Sequence, residues 1–316
     1  MHGTWLHRAG RVALIVLTGL TAMAVGVPAA AQSRQGLLSL PDARIFYEVV
    51  GEGPPIVVVH GGPGLDHNYL RPGMDVLAAR HTLVYYDQRG TGRSDAALDS
   101  TGINLDAFVG DIEALRQALG YDRITVLGHS FGGLIALAYA RTHPESTEAL
   151  ILMDTVEPGS RWKTLAARRA ASARTPADSA ELAELTASEG YAARDPATMS
   201  AVYKVAFRST LRVPERVSEL NLDLSGRTAR NGPEVARLLG GELKDVNWWD
   251  ALPEMDVPTL VVHGRYDPIP PAMARALAEA LPLGQLVLLP TGHFPYIEDP
   301  GGLVEAVSAF LAGLQR

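Results

Sequence analysis

The run Pro55-Ile56-Val57-Val58-Val59-His60 limits what this chain can become more than any other stretch. It is too short for a helix of ordinary length, and no polar residue alternates with its apolar ones. It therefore reads as a strand buried on both faces. Similar short runs recur at residues 44–50, 82–87, 123–127, 149–153, 259–263 and 285–289. Between two of them, residues 106–119 carry Phe108, Ile112, Leu115 and Leu119 at helical spacing. Strands alternating with helices predict an α/β fold: a mostly parallel sheet flanked by helices on both sides.

Residues 155–250 break this rhythm. They contain no β-branched run, and their helix-like pieces are punctuated by Pro176, Pro196, Pro214, Gly226 and Pro233. The expected organisation is a core of residues 32–154 and 251–316, with residues 155–250 inserted as a helical cap. The Ala/Arg-rich stretch 166–173 reads as a solvated helix face. The chain carries 28 Lys and Arg against 35 Asp and Glu, a net charge of −7 that argues against nucleic acid as a partner. It has no Cys, which excludes a disulfide scaffold, a thiolate zinc site and a cysteine nucleophile.

The first 31 residues follow other rules. Arg8 and Arg11 precede the apolar run 12–27, and Pro28-Ala29-Ala30-Ala31 follows it. A basic start, a short apolar centre and small residues spaced Ala-x-Ala resemble a bacterial secretory signal peptide cut after Ala31. The apolar run falls short of the ~20 residues a bilayer span needs. The expectation is an exported protein, periplasmic or extracellular, without stable membrane insertion after cleavage.

The chemistry centres on Gly128-His129-Ser130-Phe131-Gly132-Gly133, which follows a predicted strand and opens a helical run at 134–140. A nucleophile elbow needs such a sharp turn, with glycines flanking the serine so that no side chain clashes. Serine needs a base to take its proton. Asp267 and His293 each stand just beyond a later strand, giving the chain order Ser130, Asp267, His293 found in α/β-hydrolases. In a parallel sheet all three loops emerge at one edge. Read singly, Asp267 is a turn former before Pro268 and His293 a loop histidine. Read together they form a triad. The oxyanion needs donors: the N–H of Phe131 is one, and Gly62, in His60-Gly61-Gly62-Pro63-Gly64, is the expected second. No H-E-x-x-H and no G-x-G-x-x-G after a strand are present, so neither a metal nor another cofactor is expected.

These pieces, with Asp87-Gln-Arg-Gly-Thr-Gly-Arg-Ser94, Gly264-Arg-Tyr-Asp267 and Gly292-His293, resemble the α/β-hydrolase superfamily and, within it, the proline iminopeptidase family of serine aminopeptidases. The resemblance spans residues 40–314. It implies a nucleophile at Ser130, an acid at Asp267, a base at His293, an oxyanion hole at Gly62 and Phe131, and release of an N-terminal residue, often proline, from short peptides. Two features depart from the family pattern: His129 and Phe131 stand where many members carry Gly and Trp. Exopeptidases of this kind hold the substrate ammonium with cap carboxylates. The candidates are Glu157, Glu184 and Glu215, beside Glu181, Glu189 and Glu219, with Trp248 and Trp249 as possible pocket walls. A carboxylic-ester or lactone hydrolase would use the same triad. A non-catalytic ligand-binding module could keep the same fold. Ser rather than Asp at the elbow argues against epoxide hydrolase and dehalogenase chemistry. The segment 87–94 reads as architectural, a tight loop with Arg–carboxylate pairing.

Overall fold

The computed structural model describes residues 33–159 and 162–314. The expected signal peptide at residues 1–31 lies outside the described residues. Among these, no helix is long and apolar enough to cross a membrane.

The core is one sheet. Its strands are β1 (Arg34–Ser39), β2 (Ala43–Val50), β3 (Pro55–Val59), β4 (Thr82–Tyr86), β5 (Asp95–Ala96), β6 (Ile124–His129), β7 (Thr147–Met153), β8 (Thr259–Gly264) and β9 (Gly284–Leu289). They lie in the order β1-β2-β4-β3-β6-β7-β8-β9, with the short β5 paired to β2. From β4 to β9 every pairing is parallel, whereas β1 and β2 run antiparallel at one end. The strand over Arg34–Ser39 has no counterpart in the sequence reading. It contains Gly36 and no β-branched residue, and pairing with β2 rather than propensity holds it.

Helices α1 (Leu105–Ala118), α2 (Gly132–Thr142) and, beyond the cap, α8 (Pro271–Ala280) cover one face of the sheet; α9 (Pro295–Glu298) and α10 (Pro300–Leu314) pack on the other. The fully buried run of β3 shows why it lacks alternation: Val57 and Val59 pack into one core and Ile56 and Val58 into the other.

Between β7 and β8 the described residues form helices: α3 (Trp162–Ala173), α4 (Pro176–Ala187), α5 (Glu189–Ala192), α6 (Pro196–Arg208) and α7 (Gly226–Glu242), with shorter 3-10 turns among them. Pro176 and Pro196 stand at first helical positions behind the N-caps Thr175 and Asp195, where a missing N–H costs nothing. Pro233 instead lies inside α7.

Helix α7 clamps this cap to the core. Thr228 Oγ1 donates to Asp66 Oδ2 at 2.5 Å and accepts from the Gly92 amide at 2.9 Å. Asn231 donates to the Gly90 carbonyl, and the Glu242 carboxylate caps α1 through the Leu105 amide. At Gly64, where φ is +89°, the two backbones cross so closely that an added Cβ would lie 2.2 Å from the Gly232 carbonyl oxygen.

Candidate active site

The strand β6 ends at His129, and the chain turns at Ser130 into α2. Ser130 has φ +56°, a left-handed conformation that is strained for a residue with a side chain. Glycine is required around it: a Cβ on Gly132 would sit 2.2 Å from the Val59 carbonyl oxygen, and one on Gly128 would meet the α2 backbone at 2.5 Å. The turn therefore holds the serine hydroxyl out at the C-terminal edge of the sheet, at the start of a helix.

His293 and Asp267 come to the same edge from the loops after β9 and β8. The Ser130 hydroxyl lies 3.0 Å from His293 Nε2, and His293 Nδ1 lies 2.7 Å from Asp267 Oδ2. The Ile269 amide donates to the other Asp267 oxygen at 2.6 Å. This fixes the tautomer: Nδ1–H donates to the carboxylate and Nε2 faces the hydroxyl. Burial alone would raise the Asp267 carboxyl, but the His293 imidazole beside it outweighs burial and holds it below the ordinary carboxylate value.

Gly62 follows Gly61, the glycine against Ser130, and Phe131 follows Ser130 directly. Among the described residues, neither amide donates to a protein acceptor. Gly61 packs directly on the serine, with Ser130 Cβ 2.9 Å from where its own Cβ would be.

Tyr69 and His129, absent from the predicted site, tie its parts together. The Gly61 amide donates to the Tyr69 hydroxyl at 2.6 Å, and that hydroxyl lies 2.8 Å from His129 Nδ1. His129 Nε2 lies 2.9 Å from the His293 carbonyl oxygen, which can only accept. Nε2 must then carry the proton and Nδ1 receive one from the phenol. Burial keeps His129 neutral, its pKa lowered to about 3. His129 thus joins the glycine-rich loop at Gly61 to the loop that carries His293. His60 does similar work: the Gln88 amide donates to its Nε2 at 3.0 Å, joining the glycine-rich loop to segment 87–94. That segment carries the expected Arg–carboxylate pairing, Arg89 reaching Asp111 at 2.7 Å and Asp42 at 2.6 Å.

The cap candidates separate by burial. Glu157 is 8% exposed, two residues beyond Thr155, whose hydroxyl donates to the Ser130 carbonyl at 2.9 Å. Its Oε1 has no hydrogen-bond partner among the described residues. Glu184 and Glu215 are exposed, as are Glu181, paired with Arg208, and Glu219, paired with Arg216. Glu189 is exposed as well. Trp248 lies under the Arg141 guanidinium, 4.8 Å from its ring centre, and its amide donates to the carbonyl of Pro158, next to Glu157, at 2.8 Å. Its position packs cap on core, as does that of Trp249.

Residues 54–300 match the family described as alpha/beta hydrolase fold. A proline iminopeptidase of Heyndrickxia coagulans is 28% identical over 289 residues, covering 88% of this chain and 98% of that protein. Among solved structures, a proline iminopeptidase-related protein from Thermus thermophilus superimposes with TM-score 0.66 at 30% identity, over 90% of this chain and 98% of that one. The esterase RhEst1 from Rhodococcus sp. ECU1013 does so with TM-score 0.69 at 26% identity, over 89% of this chain and 99% of that one.

Proposed function

The chain belongs to the alpha/beta hydrolase fold family, in its proline iminopeptidase-like branch, and from that premise we infer that it is a serine hydrolase releasing N-terminal proline or small residues from short peptides. The observation that carries the reading is the unbroken relay from the strained Ser130 through His293 to Asp267, with two unengaged amides beside it.

His293 Nε2 takes the Ser130 proton as Oγ attacks the substrate carbonyl carbon. Asp267 holds the imidazole in the needed tautomer and offsets its positive charge. The carbonyl oxygen, now an oxyanion, accepts from Gly62 and Phe131 N–H. As the tetrahedral intermediate collapses, His293 returns the proton to the leaving amine and an acyl-serine remains. A water, deprotonated by His293, then cleaves that ester.

Glu157 supports the aminopeptidase reading over the bare hydrolase one. A buried carboxylate oxygen without a donor suits a substrate ammonium, which loses its own hydration on entering the cleft. The likeness to RhEst1 favours a second reading, an ester or lactone hydrolase with the same acyl-enzyme.

Initial rates decide between them. Proline and alanine p-nitroanilides should be cleaved, N-acetylated versions should not, and Ser130→Ala should be silent. Glu157→Gln should raise KM for the free-amine anilides at least tenfold while sparing p-nitrophenyl butyrate. Ester turnover without anilide cleavage would replace the peptidase reading with the esterase one. No turnover and no labelling by a fluorophosphonate would leave only a binding module.

A further inference from the structure

A third carboxyl group stands behind the relay without a place in the mechanism. Asp154, directly after β7, is wholly buried and has φ +44°. Only three described residues other than glycine have positive φ, and Ser130 is another of them. Such strain persists where the surroundings impose it, which marks the side chain's placement as specified. The Asp154 amide donates to the Val262 carbonyl at 2.9 Å, so the neighbouring strand β8 fixes the turn. Its Oδ1 accepts from the Gly264 amide at 2.8 Å, while Oδ2 is buried with no assigned partner among the described residues. Asp267 lies beside it: a carboxylate oxygen of Asp154, one of Asp267 and a ring nitrogen of His263 all lie within 4.8 Å of one another.

Two buried carboxyls this close do not both ionise. Asp267 has the better claim to the charge, since His293 and the Ile269 amide both donate to it. His263 does not supply a counter-charge: its Nε2 is committed to donating to the Ile269 carbonyl at 2.8 Å, and burial disfavours a second proton on Nδ1, 3.6 Å from Asp154 Oδ1. The remaining charged or titratable neighbours are Glu298 and Tyr296 of α9. Neither brings a positive charge.

The geometry points to Asp154 as a positioning residue: a carboxylic acid kept neutral, whose Oδ2–H donates to the Asp267 carboxylate and holds it toward His293. This pairs the orphaned Oδ2 and completes the hydrogen bonding of Asp267. Burial and the Asp267 charge both push the Asp154 carboxyl well above its ordinary value, in agreement. The role of Asp267 in catalysis rests on the reading given under Proposed function, but the protonation of Asp154 does not.

The test combines a spectroscopic and a kinetic reading on the purified protein. With aspartate carboxyls labelled with carbon-13, difference infrared spectra at pH 7 should show a protonated-carboxyl C=O stretch that disappears in Asp154→Asn. Asp154→Ala should lower kcat more than tenfold with little change in KM. Asp154→Asn, which still accepts from Gly264 and donates to Asp267, should recover most of that loss, with the acid limb of kcat/KM at the wild-type pH. Three results would overturn the proposal: no protonated carboxyl at pH 7, an acid limb moved to lower pH in Asp154→Asn, or stoichiometric metal in the purified protein. Retained infrared signal in a protein that neither turns over nor reacts with a fluorophosphonate would instead sink the hydrolase reading.

Discussion

His129 donates from Nε2 to the backbone carbonyl of His293 across 2.9 Å, so the residue beside Ser130 holds the loop that carries His293. The same ring accepts from Tyr69, which in turn receives the Gly61 amide. One buried chain therefore spans the glycine-rich loop, the turn at Ser130 and the loop of His293.

Tyr69→Phe cuts this chain in the middle. It leaves the Gly61 N–H and His129 Nδ1 buried without partners, at about 1–3 kcal/mol for each group. Urea unfolding should show that loss. The kcat/KM value should fall about tenfold, because 1.4 kcal/mol of misplacement at the site is already a factor of ten. Wild-type stability together with wild-type rate would mean the chain is ornamental.

Ser130→Ala should lower kcat on the order of 10⁶-fold and abolish fluorophosphonate labelling. Asp267→Asn favours the wrong imidazole tautomer and should lower kcat about 10⁴-fold. Rates within tenfold of wild type in either variant would remove that residue from its assigned role.

His67 makes stability depend on alkaline pH. Burial would lower its pKa, but Asp87 at 2.6 Å and Glu48 at 3.7 Å outweigh burial and hold it at about 9, against an ordinary 6.5. A raised pKa contributes stability that is fully present below pH 6.5 and is lost as pH rises through 9. In that window unfolding free energy should decline by up to about 1.4 kcal/mol per pH unit. Denaturation midpoints from pH 6 to 10 measure the slope, and His67→Gln should flatten it.

Gly64→Ala should loosen the cap. The added methyl meets the Gly232 carbonyl at 2.2 Å in a backbone conformation already unfavourable to alanine. A loss of about 2 kcal/mol or more is expected, with faster proteolysis between residues 155 and 250. Gly110→Ala is the contrast: it lies within α1 with no neighbour near its Cβ, and should stabilise by about 1 kcal/mol.

The sheet and the relay were legible because they obey local rules. Buried parallel strands read as β-branched runs, and residues placed just beyond strand ends converge wherever the sheet is parallel. Ser130, Asp267 and His293 follow from that placement together with the glycine-flanked elbow and their chain order. The bond between Tyr69 and His129 did not show, since they are 60 residues apart and no pattern predicts their meeting. Asp154 was visible only as a strand end; its meaning lies in a register between β7 and β8 that no local signal encodes. The cap glutamates were indistinguishable in sequence because burial of a single carboxylate depends on how helices pack. That separated Glu157 from Glu184 and Glu215 only in three dimensions.

The His293 amide donates to the carbonyl of Thr210, a residue of the cap, at 2.9 Å. Both partners are main-chain atoms, so the bond survives almost any exchange of the Thr210 side chain. Side chains between β7 and β8 can then be exchanged while the placement of His293 stays anchored. A cap grafted from a relative must accordingly match this backbone crossing before its side chains matter at all.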